Sequence, residues 1–158
     1  MSAGERGSRI VIDIGNSRLK WAALDHAGAI GPIQAIDLDS SERWRETVGR
    51  IPLVSGAQLA IASVNPPALD EVRRISGRLA VVSTMIYASA AGVSASNRLA
   101  EPSRAGADRA LAVLAAVRLF APTSPGLVVS CGTAITVERI DAQGVWEGGA
   151  IAAGLPLA

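Results

Sequence analysis

The chain has 158 residues, of which 49% are apolar and 18% are charged, so a packed core is expected and wholesale disorder is excluded. With 15 basic and 14 acidic residues, the chain lacks the basic excess of a nucleic-acid-binding protein. One cysteine excludes a disulfide framework within the chain, and a single histidine argues against a zinc site. No apolar run reaches the roughly 18 residues of a membrane span, and the polar start lacks a signal-peptide core. We therefore expect a cytoplasmic protein that binds neither membranes nor nucleic acid.

Apolar runs in the first part of the chain predict five strands and two helices. The predicted strands are residues 9–14, 18–24, 29–36, 58–64 and 79–83. The first helix follows Ser41 and has Trp44, Val48 and Ile51 roughly on one face. The second helix begins at Pro67, a residue favoured at the first helical position, and ends at Gly77.

The second part of the chain contains the most strongly helical segment. Residues 84–104 are predicted as an irregular connection, or as a short strand at 85–87 followed by a loop. A helix is predicted over 106–120, and strands over 127–130, 134–140 and 145–151. The element order is β-β-β-α-β-α-β, loop, α-β-β-β. Strands alternating with helices predict an α/β fold with mixed sheets and flanking helices.

The two parts share a repeated pattern. Residues 11–30 and 128–146 each run as strand, glycine-containing turn, strand, Asp-x-x-Gly turn and strand, with a one-residue difference in length. Gly15 and Gly132 would let the backbone approach a ligand, and the residues after them offer N–H and hydroxyl donors. Two such turns facing each other across a cleft could hold a polyphosphate. For a single copy, an ordinary hairpin is the simpler interpretation.

Five motifs resemble, in the same order, those of the type III pantothenate kinase family. They are DIGNSRLK (13–20), AIASVNPP (60–67), GADR (106–109), GTAIT (132–136) and GGAIAAG (148–154). The resemblance implies a ribonuclease H-like fold of the actin-like ATPase and sugar-kinase superfamily, with ATP between two halves. It implies a first half over 1–96, and over 97–158 the start of a second half that is incomplete.

The resemblance also implies an activity, the phosphorylation of pantothenate in the first step of coenzyme A biosynthesis. Its requirements would be ATP, Mg²⁺ and a monovalent cation (K⁺ or NH₄⁺), and the protein would be a homodimer. The implied ATP-binding residues are Asp13, Gly15, Asn16, Ser17, Lys20, Gly132 and Thr133, with Asp13 nearest the Mg²⁺. The implied pantothenate-binding residues are Gly106, Ala107, Asp108 and Arg109, with Asp108 as the catalytic base.

Three of these residues also have simpler interpretations. Asp108 lies in the first turn of a predicted helix, whose dipole favours the ionised carboxylate; it could be a helix-start residue without a catalytic role. Arg109 could pair with the carboxylate of pantothenate or be a solvated helix arginine. Lys20 could reach a phosphate as a mobile charge or point outward from its strand.

The chain departs from the family pattern at four positions and at its end. Ser130 replaces the aspartate that usually binds the monovalent cation, so that site is expected to be lost. Leu99 and Glu101 replace a tyrosine and an asparagine on the substrate side, and Ala153 replaces a proline. The chain stops just after the last motif, as expected of a fragment or of a naturally short form.

These departures leave two further functions open. One is a catalytically weak or inactive relative that binds nucleotide or a protein partner and acts as a regulator. The other is a kinase of the same superfamily with a different hydroxyl substrate. Intact Asp13, Lys20, Asp108, Arg109 and Thr133 favour the pantothenate kinase.

Overall fold

A computed structural model describes residues 9–38, 43–49, 51, 56–77 and 83–154. The chain divides into two compact units, Met1–Ile86 and Tyr87–Ala158. The sequence suggested a boundary after residue 96, whereas Ala90, Val93 and Ala95 are buried in the same core as the helix and strands that follow them. The division between the units therefore lies earlier in the chain.

The first unit contains a five-stranded mixed sheet. Its elements are β1 (Arg9–Ile14), β2 (Arg18–Leu24), β3 (Gln34–Asp37), α1 (Arg43–Val48), β4 (Gln58–Ser63), α2 (Pro66–Ser76) and β5 (Ser83–Tyr87). The strand order is β3-β2-β1-β4-β5, with β1 antiparallel to β2 and parallel to β4. The predicted α/β class with a mixed sheet is confirmed.

Alternation along β1 determines which side chains enter the core. Ile10, Ile12 and Ile14 are buried and belong to one apolar cluster with Val72 of α2. Because successive side chains of a strand point to opposite faces, Asp13 lies on the other face, where it is half exposed. The strand therefore ends with a charged group that the apolar core does not cover.

Helix α2 agrees closely with its prediction. It begins at Pro66, one residue earlier than predicted, and the Asn65 side chain caps it by accepting the Ala68 N–H at 3.2 Å. At its end the Gly77 N–H donates to the Arg73 carbonyl at 2.8 Å. Proline and glycine therefore mark both ends of this helix, as the sequence indicated.

Two predicted strands of the first unit differ from the structure. The strand predicted over 29–36 is shorter, because β3 covers only Gln34–Asp37 and Ile30 makes an isolated bridge to Leu24. Pro32, between them, has no N–H to donate to a ladder. The strand predicted over 79–83 lies mostly outside the described residues, and β5 begins at Ser83.

The second unit packs one long helix on a three-stranded antiparallel sheet. It contains 3₁₀ turns at Ala90–Gly92 and Pro102–Arg104, helix α3 (Ala107–Phe120), and strands β6 (Gly126–Cys131), β7 (Ala134–Ile140) and β8 (Trp146–Ala153). The strand order is β6-β7-β8. Ala107, Ala110 and Val113 of α3 are buried with Ile140 and Trp146 of the sheet. The helix and three strands predicted for this part are thus present.

Strand β6 exposes apolar side chains to solvent. Leu127 is 66% exposed and Val129 is 54% exposed, and Cys131, two residues further along, is exposed as well. Side chains two apart on a strand share a face, so these three lie on the face opposite Val128, which packs against the helix-facing core. Within the described part of this unit, α3 therefore covers one face of the sheet.

The internal repeat recurs in the hydrogen bonds of the two units. In the Asp-x-x-Gly turns, the N–H groups of Gly28 and Gly144 donate to the carbonyls of Asp25 and Asp141 at 3.1 and 3.0 Å. Both glycines have positive φ, 89° and 75°. Gly15 donates to the Arg18 carbonyl, whereas Gly132 donates to that of Ala134. The one-residue difference in length therefore lies in the first turn of each hairpin.

Candidate functional site

The candidate phosphate loop of the first unit is the turn between β1 and β2. Asp13 and Lys20 are cross-strand partners in the antiparallel register, and Lys20 Nζ lies 3.7 Å from Asp13 Oδ2. Both side chains are about half exposed. The structure thus brings a carboxylate and an ammonium group together at the mouth of the turn.

The side chain of Asn65 holds this turn to the start of α2. Asn65 Nδ2 donates to the Gly15 carbonyl at 3.3 Å while Asn65 Oδ1 caps the helix. The Val64 N–H donates to the Ile14 carbonyl at 3.0 Å, extending the parallel contact of β1 and β4. Asn65, from the Ala60–Pro67 motif, therefore fixes the loop without being one of the expected ligands. Asn16 is exposed and Ser17 half-buried.

The second candidate loop, Gly132–Thr133, is closed by the last glycine of the Gly148–Gly154 motif. The Gly154 N–H donates to the Thr133 carbonyl at 2.9 Å. A Cβ at residue 154 would overlap the carbonyl oxygen of Gly132 and lie 2.7 Å from that of Thr133. Only glycine therefore fits at 154 without displacing this loop.

Asp108 lies at the start of α3, in its first turn. Its side chain is exposed, whereas Ala107 and Ala110 on either side of it in sequence are fully buried. Gly106 is the N-cap residue and provides no side-chain cap. Asp108 is therefore a solvent-facing carboxylate on a helix turn whose other face is packed in the core.

Arg109 makes the most extensive polar contact of the described second unit. Its Nε and Nη2 donate to Glu138 Oε1 and Oε2 at 2.5 and 2.7 Å, a bidentate pair. Glu138 is 1% exposed and also accepts from Trp146 Nε1 at 2.9 Å, while Arg109 Cζ lies 5.5 Å from the Trp146 ring centroid. Arg109 is only 15% exposed, so it is not a solvated helix arginine.

The ion pair changes the titration of the guanidinium. The hydrogen bonds that Arg109 donates to Glu138 raise the pKa of the guanidinium above its ordinary value. Burial acts in the opposite direction, and the charges of Glu138 and Asp108 raise the pKa further. Arg109 therefore stays charged throughout the pH range in which a protein is folded. Two of its five N–H donors are used by Glu138.

Ser130 and the substrate-side departures have identifiable places. Ser130 is exposed on β6 and pairs in register with Thr136, so a neutral hydroxyl stands where a cation-binding carboxylate was expected. Leu99 packs against the apolar core of the second unit, and Glu101 is an exposed residue paired with Arg104 at 3.2 Å. Among the described residues, no cluster of three or more His, Cys, Asp or Glu side chains could hold a metal ion.

The expected site residues fall into separate groups, each within one unit. Asp13 lies beside Lys20 in the first unit. In the second unit, Thr133 lies beside Gly154, and Asp108 precedes Arg109 on α3. That the two glycine turns face each other across ATP remains a prediction.

Glu138 is the residue that the sequence analysis missed. In β7 the buried residues are Thr136, Glu138 and Ile140, which alternate along one face. Side chains two residues apart on a strand share a face, so Ile140 facing the core places Glu138 on the buried face as well. A buried acid requires a partner, and this signal was present in the sequence. Gly149 is also needed, because a Cβ there would overlap the Glu138 carboxylate and the Val137 carbonyl.

The mixed sheet of the first unit and the antiparallel sheet of the second form an α/β fold that is also found in solved proteins. One of these, the type II variant of the Aquifex aeolicus Ppx/GppA phosphatase, has a TM-score of 0.50 and 12% identity. It covers 93% of this chain, which covers 52% of that one, and the likeness concerns the fold alone. The sequence pattern of type III pantothenate kinase matches residues 9–158. The chain belongs to the type III pantothenate kinase family.

Relatives in two bacteria carry the same family name. The type III pantothenate kinase of Verminephrobacter eiseniae (strain EF01-2) is 36% identical over 152 residues, covering 92% of this chain and 59% of the relative. That of Halorhodospira halophila (strain DSM 244 / SL1) is 36% identical over 158 residues, with 94% and 61% covered. The chain thus spans about three fifths of the length of these relatives. None of the helices in the described residues has the length and apolar character to cross a membrane.

Proposed function

We propose that this chain is a kinase that transfers the γ-phosphoryl group of ATP to the primary hydroxyl of pantothenate, forming 4'-phosphopantothenate. The main support is its family membership, with five motifs in family order. The reaction would be the first step of coenzyme A biosynthesis and would take place in the cytoplasm, where ATP is supplied. A homodimer is part of the proposal.

In the proposed complex, the two glycine turns bind the triphosphate of ATP. Backbone N–H groups near Gly15 and Gly132 and the Thr133 hydroxyl act as donors. The pair of Lys20 and Asp13 is half exposed and 3.7 Å long, so it is weak enough for the ammonium to turn toward a phosphate. Lys20 would then neutralise charge that develops during transfer.

Asp13 would hold Mg²⁺ together with phosphate oxygens. Mg²⁺ is commonly bound by one or two carboxylates and substrate phosphates, rather than by a cage made only of protein. A half-exposed carboxylate with no cluster of acids around it in the described residues fits that arrangement. The ion supplies charge neutralisation on the phosphates. Ser130 offers one neutral hydroxyl, so we propose that K⁺ or NH₄⁺ binding is weak.

Asp108 would act as the base. The pantothenate hydroxyl oxygen forms a bond to the γ-phosphorus, the bond from that phosphorus to the ADP oxygen breaks, and the hydroxyl proton passes to Asp108. Its exposed position at the start of α3 leaves the carboxylate accessible to a substrate. Gly106 and the three remaining N–H donors of Arg109 would line the pantothenate site. Ala107 belongs to the same motif but is fully buried, so it would support this turn from the core.

The test is phosphorylation of pantothenate by the purified chain with ATP and Mg²⁺, followed by detection of 4'-phosphopantothenate. Asp108→Asn should remove turnover while circular dichroism and ATP binding remain as in the wild type. Asp70→Asn is the matched control, because Asp70 is an exposed carboxylate on a helix, outside the expected site. Turnover that persists in Asp108→Asn, or that is lost equally in Asp70→Asn, would refute the proposed base.

A nucleotide-binding relative without catalysis is the second candidate. It is favoured by Ser130 in place of the cation-binding carboxylate and by Leu99, a partly buried apolar residue that packs against the core at a substrate-side position. Binding of ATP without turnover of pantothenate would support this candidate. Absence of both binding and turnover would refute both functions for this chain.

A further inference from the structure

We propose that Glu138 is a positioning residue, which holds the first turn of α3 through Arg109 and thereby orients Asp108. The inference rests on the proposed function, in which Asp108 is the base. Glu138 itself lies on β7, in the sheet on which α3 packs, and is 1% exposed. It would act through Arg109 and would not touch the substrate.

Glu138 is surrounded by donors that specify one orientation of its carboxylate. Arg109 Nε and Nη2 bind its two oxygens, and Trp146 Nε1 donates to Oε2 at 2.9 Å. A carboxylate this deeply buried is stable only when it is paired and hydrogen-bonded, so the three donors fix it firmly. The guanidinium is fixed in turn, because a bidentate pair allows a single relative geometry.

The start of α3 has no side-chain cap. Its N-cap, Gly106, offers no side-chain acceptor, and the Ala110 N–H reaches the Gly106 carbonyl at a long 3.4 Å. Ser, Thr, Asp and Asn are preferred here because their side chains accept a backbone N–H, which glycine cannot do. Packing of Ala107 and Ala110 fixes the depth of the turn. The bidentate pair of Arg109 fixes its rotation and its position along the sheet.

Rotation of this turn decides where Asp108 points. Neighbouring residues on a helix lie about 100° apart around its axis, so Arg109 held inward keeps Asp108 on the solvent-facing side. A base must lie within hydrogen-bond reach of the proton that it abstracts. Loosening Glu138 would therefore impair proton transfer more than it would impair binding of either substrate.

The experiment compares Glu138→Gln with Glu147→Gln. Glutamine keeps the shape of Glu138 but offers one acceptor to three donors, whereas Glu147 is in partly exposed pairs with Arg98 and Arg139. In Glu138→Gln we expect kcat for pantothenate phosphorylation to fall about tenfold or more. The KM values for pantothenate and ATP should stay within about threefold of the wild type. Trp146→Phe, which removes one donor and keeps a ring near Arg109, should give a smaller decrease in kcat.

Hydrogen exchange measures the position of α3 independently of activity. In Glu138→Gln the amides of residues 110 and 111 should exchange about tenfold faster or more, while amides in the middle of α3 change less. A decrease in kcat with a selective loss of protection at the helix start supports the proposal. An unchanged kcat, a rise in pantothenate KM alone, or a uniform loss of protection along α3 would overturn it.

The outcome also separates this inference from the proposed function. If the wild-type chain does not phosphorylate pantothenate, the kinase proposal fails, and the exchange measurement still decides whether Glu138 holds the start of α3. Selective loss of protection would then support the positioning of the helix turn. Unchanged or uniformly altered protection would refute it.

Discussion

Removing the guanidinium of Arg109 should strongly destabilise the second unit. In Arg109→Met the aliphatic stem remains, but the carboxylate of Glu138, 1% exposed, keeps only the Trp146 N–H among the three donors described. The destabilisation would come mainly from an uncompensated buried charge rather than from lost packing.

The magnitude follows from the burial of the two partners. Removing one partner of a buried pair costs about 3–5 kcal/mol, and we expect the lower half of that range because Arg109 retains 15% exposure. The surface pair of Arg104 and Glu101, with 78% and 61% exposed side chains, should contribute less than about 1 kcal/mol. Arg104→Met is therefore the matched control.

A double variant tests whether the energy belongs to the pair. In Arg109→Met with Glu138→Leu, no buried charge is left, and the remaining cost is the Trp146 N–H without its acceptor, about 1–3 kcal/mol. The double variant should therefore be more stable than Arg109→Met alone. If Arg109→Met is too unstable to fold, recovery of a cooperative transition in the double variant gives the same answer.

Urea unfolding at pH 7, followed by tryptophan fluorescence and by circular dichroism, gives the free energies. Trp146 reports on the second unit, because it lies in the ion-pair network. A loss of unfolding free energy below about 1 kcal/mol in Arg109→Met would contradict a buried pair. The same holds if the losses in Arg109→Met and Glu138→Leu simply add up to the loss in the double variant, because a coupled pair is not additive.

Three further predictions concern the second unit. Gly154→Ala should lower the free energy of unfolding in urea by about 1–3 kcal/mol. Gly92→Ala should change it little, because an added Cβ there would have no neighbour closer than 4.0 Å. Equal effects would contradict the close approach of residue 154 to the Gly132–Thr133 turn. The pKa of Asp141 lies below its ordinary 3.8, mainly because the Val145 N–H donates to its carboxylate. A lowered pKa in the folded state adds stability above pH 3.8, and this stability is lost as the pH falls below that value. The Tm of the wild type should therefore exceed that of Asp141→Asn by less and less between about pH 5 and pH 2. A constant difference in Tm would refute this. Ser130→Asp should make activity rise about threefold or more on addition of K⁺, by restoring a carboxylate to the expected cation site; identical K⁺ responses of variant and wild type would contradict this placement.

Local patterns in the sequence were sufficient to predict most of the fold. Proline and glycine at the ends of α2, and β-branched alternation in β1, act within a few residues, so the printed sequence contains their causes. The prediction of the third strand was wrong at its start, because Pro32 interrupts a run of residues that otherwise has the composition of a strand. The boundary of the units depends on long-range packing of residues such as Val93, which periodicity does not reveal.

The candidate site was less predictable, because its contacts join residues that are distant in the chain. Arg109 and Glu138 are on different elements, and neither residue alone indicates a buried pair. The sequence pattern left two roles open for Arg109, substrate binding or exposure to solvent. In the structure Arg109 has a third role, because it pairs with the buried Glu138. Asn65 was likewise singled out only as part of the motif of residues 60–67, although its side chain also binds the Gly15 carbonyl.

The motif of residues 148–154 can be explained by packing within the second unit. Gly149 leaves room for the Glu138 carboxylate, and Gly154 leaves room for the Gly132–Thr133 turn, with no ligand needed to account for either glycine. Gly132 differs, because a Cβ there would meet nothing nearer than the Ala134 carbonyl at 3.8 Å. An alanine at 132 should therefore be tolerated by the fold and would interfere only with a group approaching the turn. Loss of ATP binding in Gly132→Ala with unchanged stability would support phosphate contact at this turn, and unchanged ATP binding would contradict it.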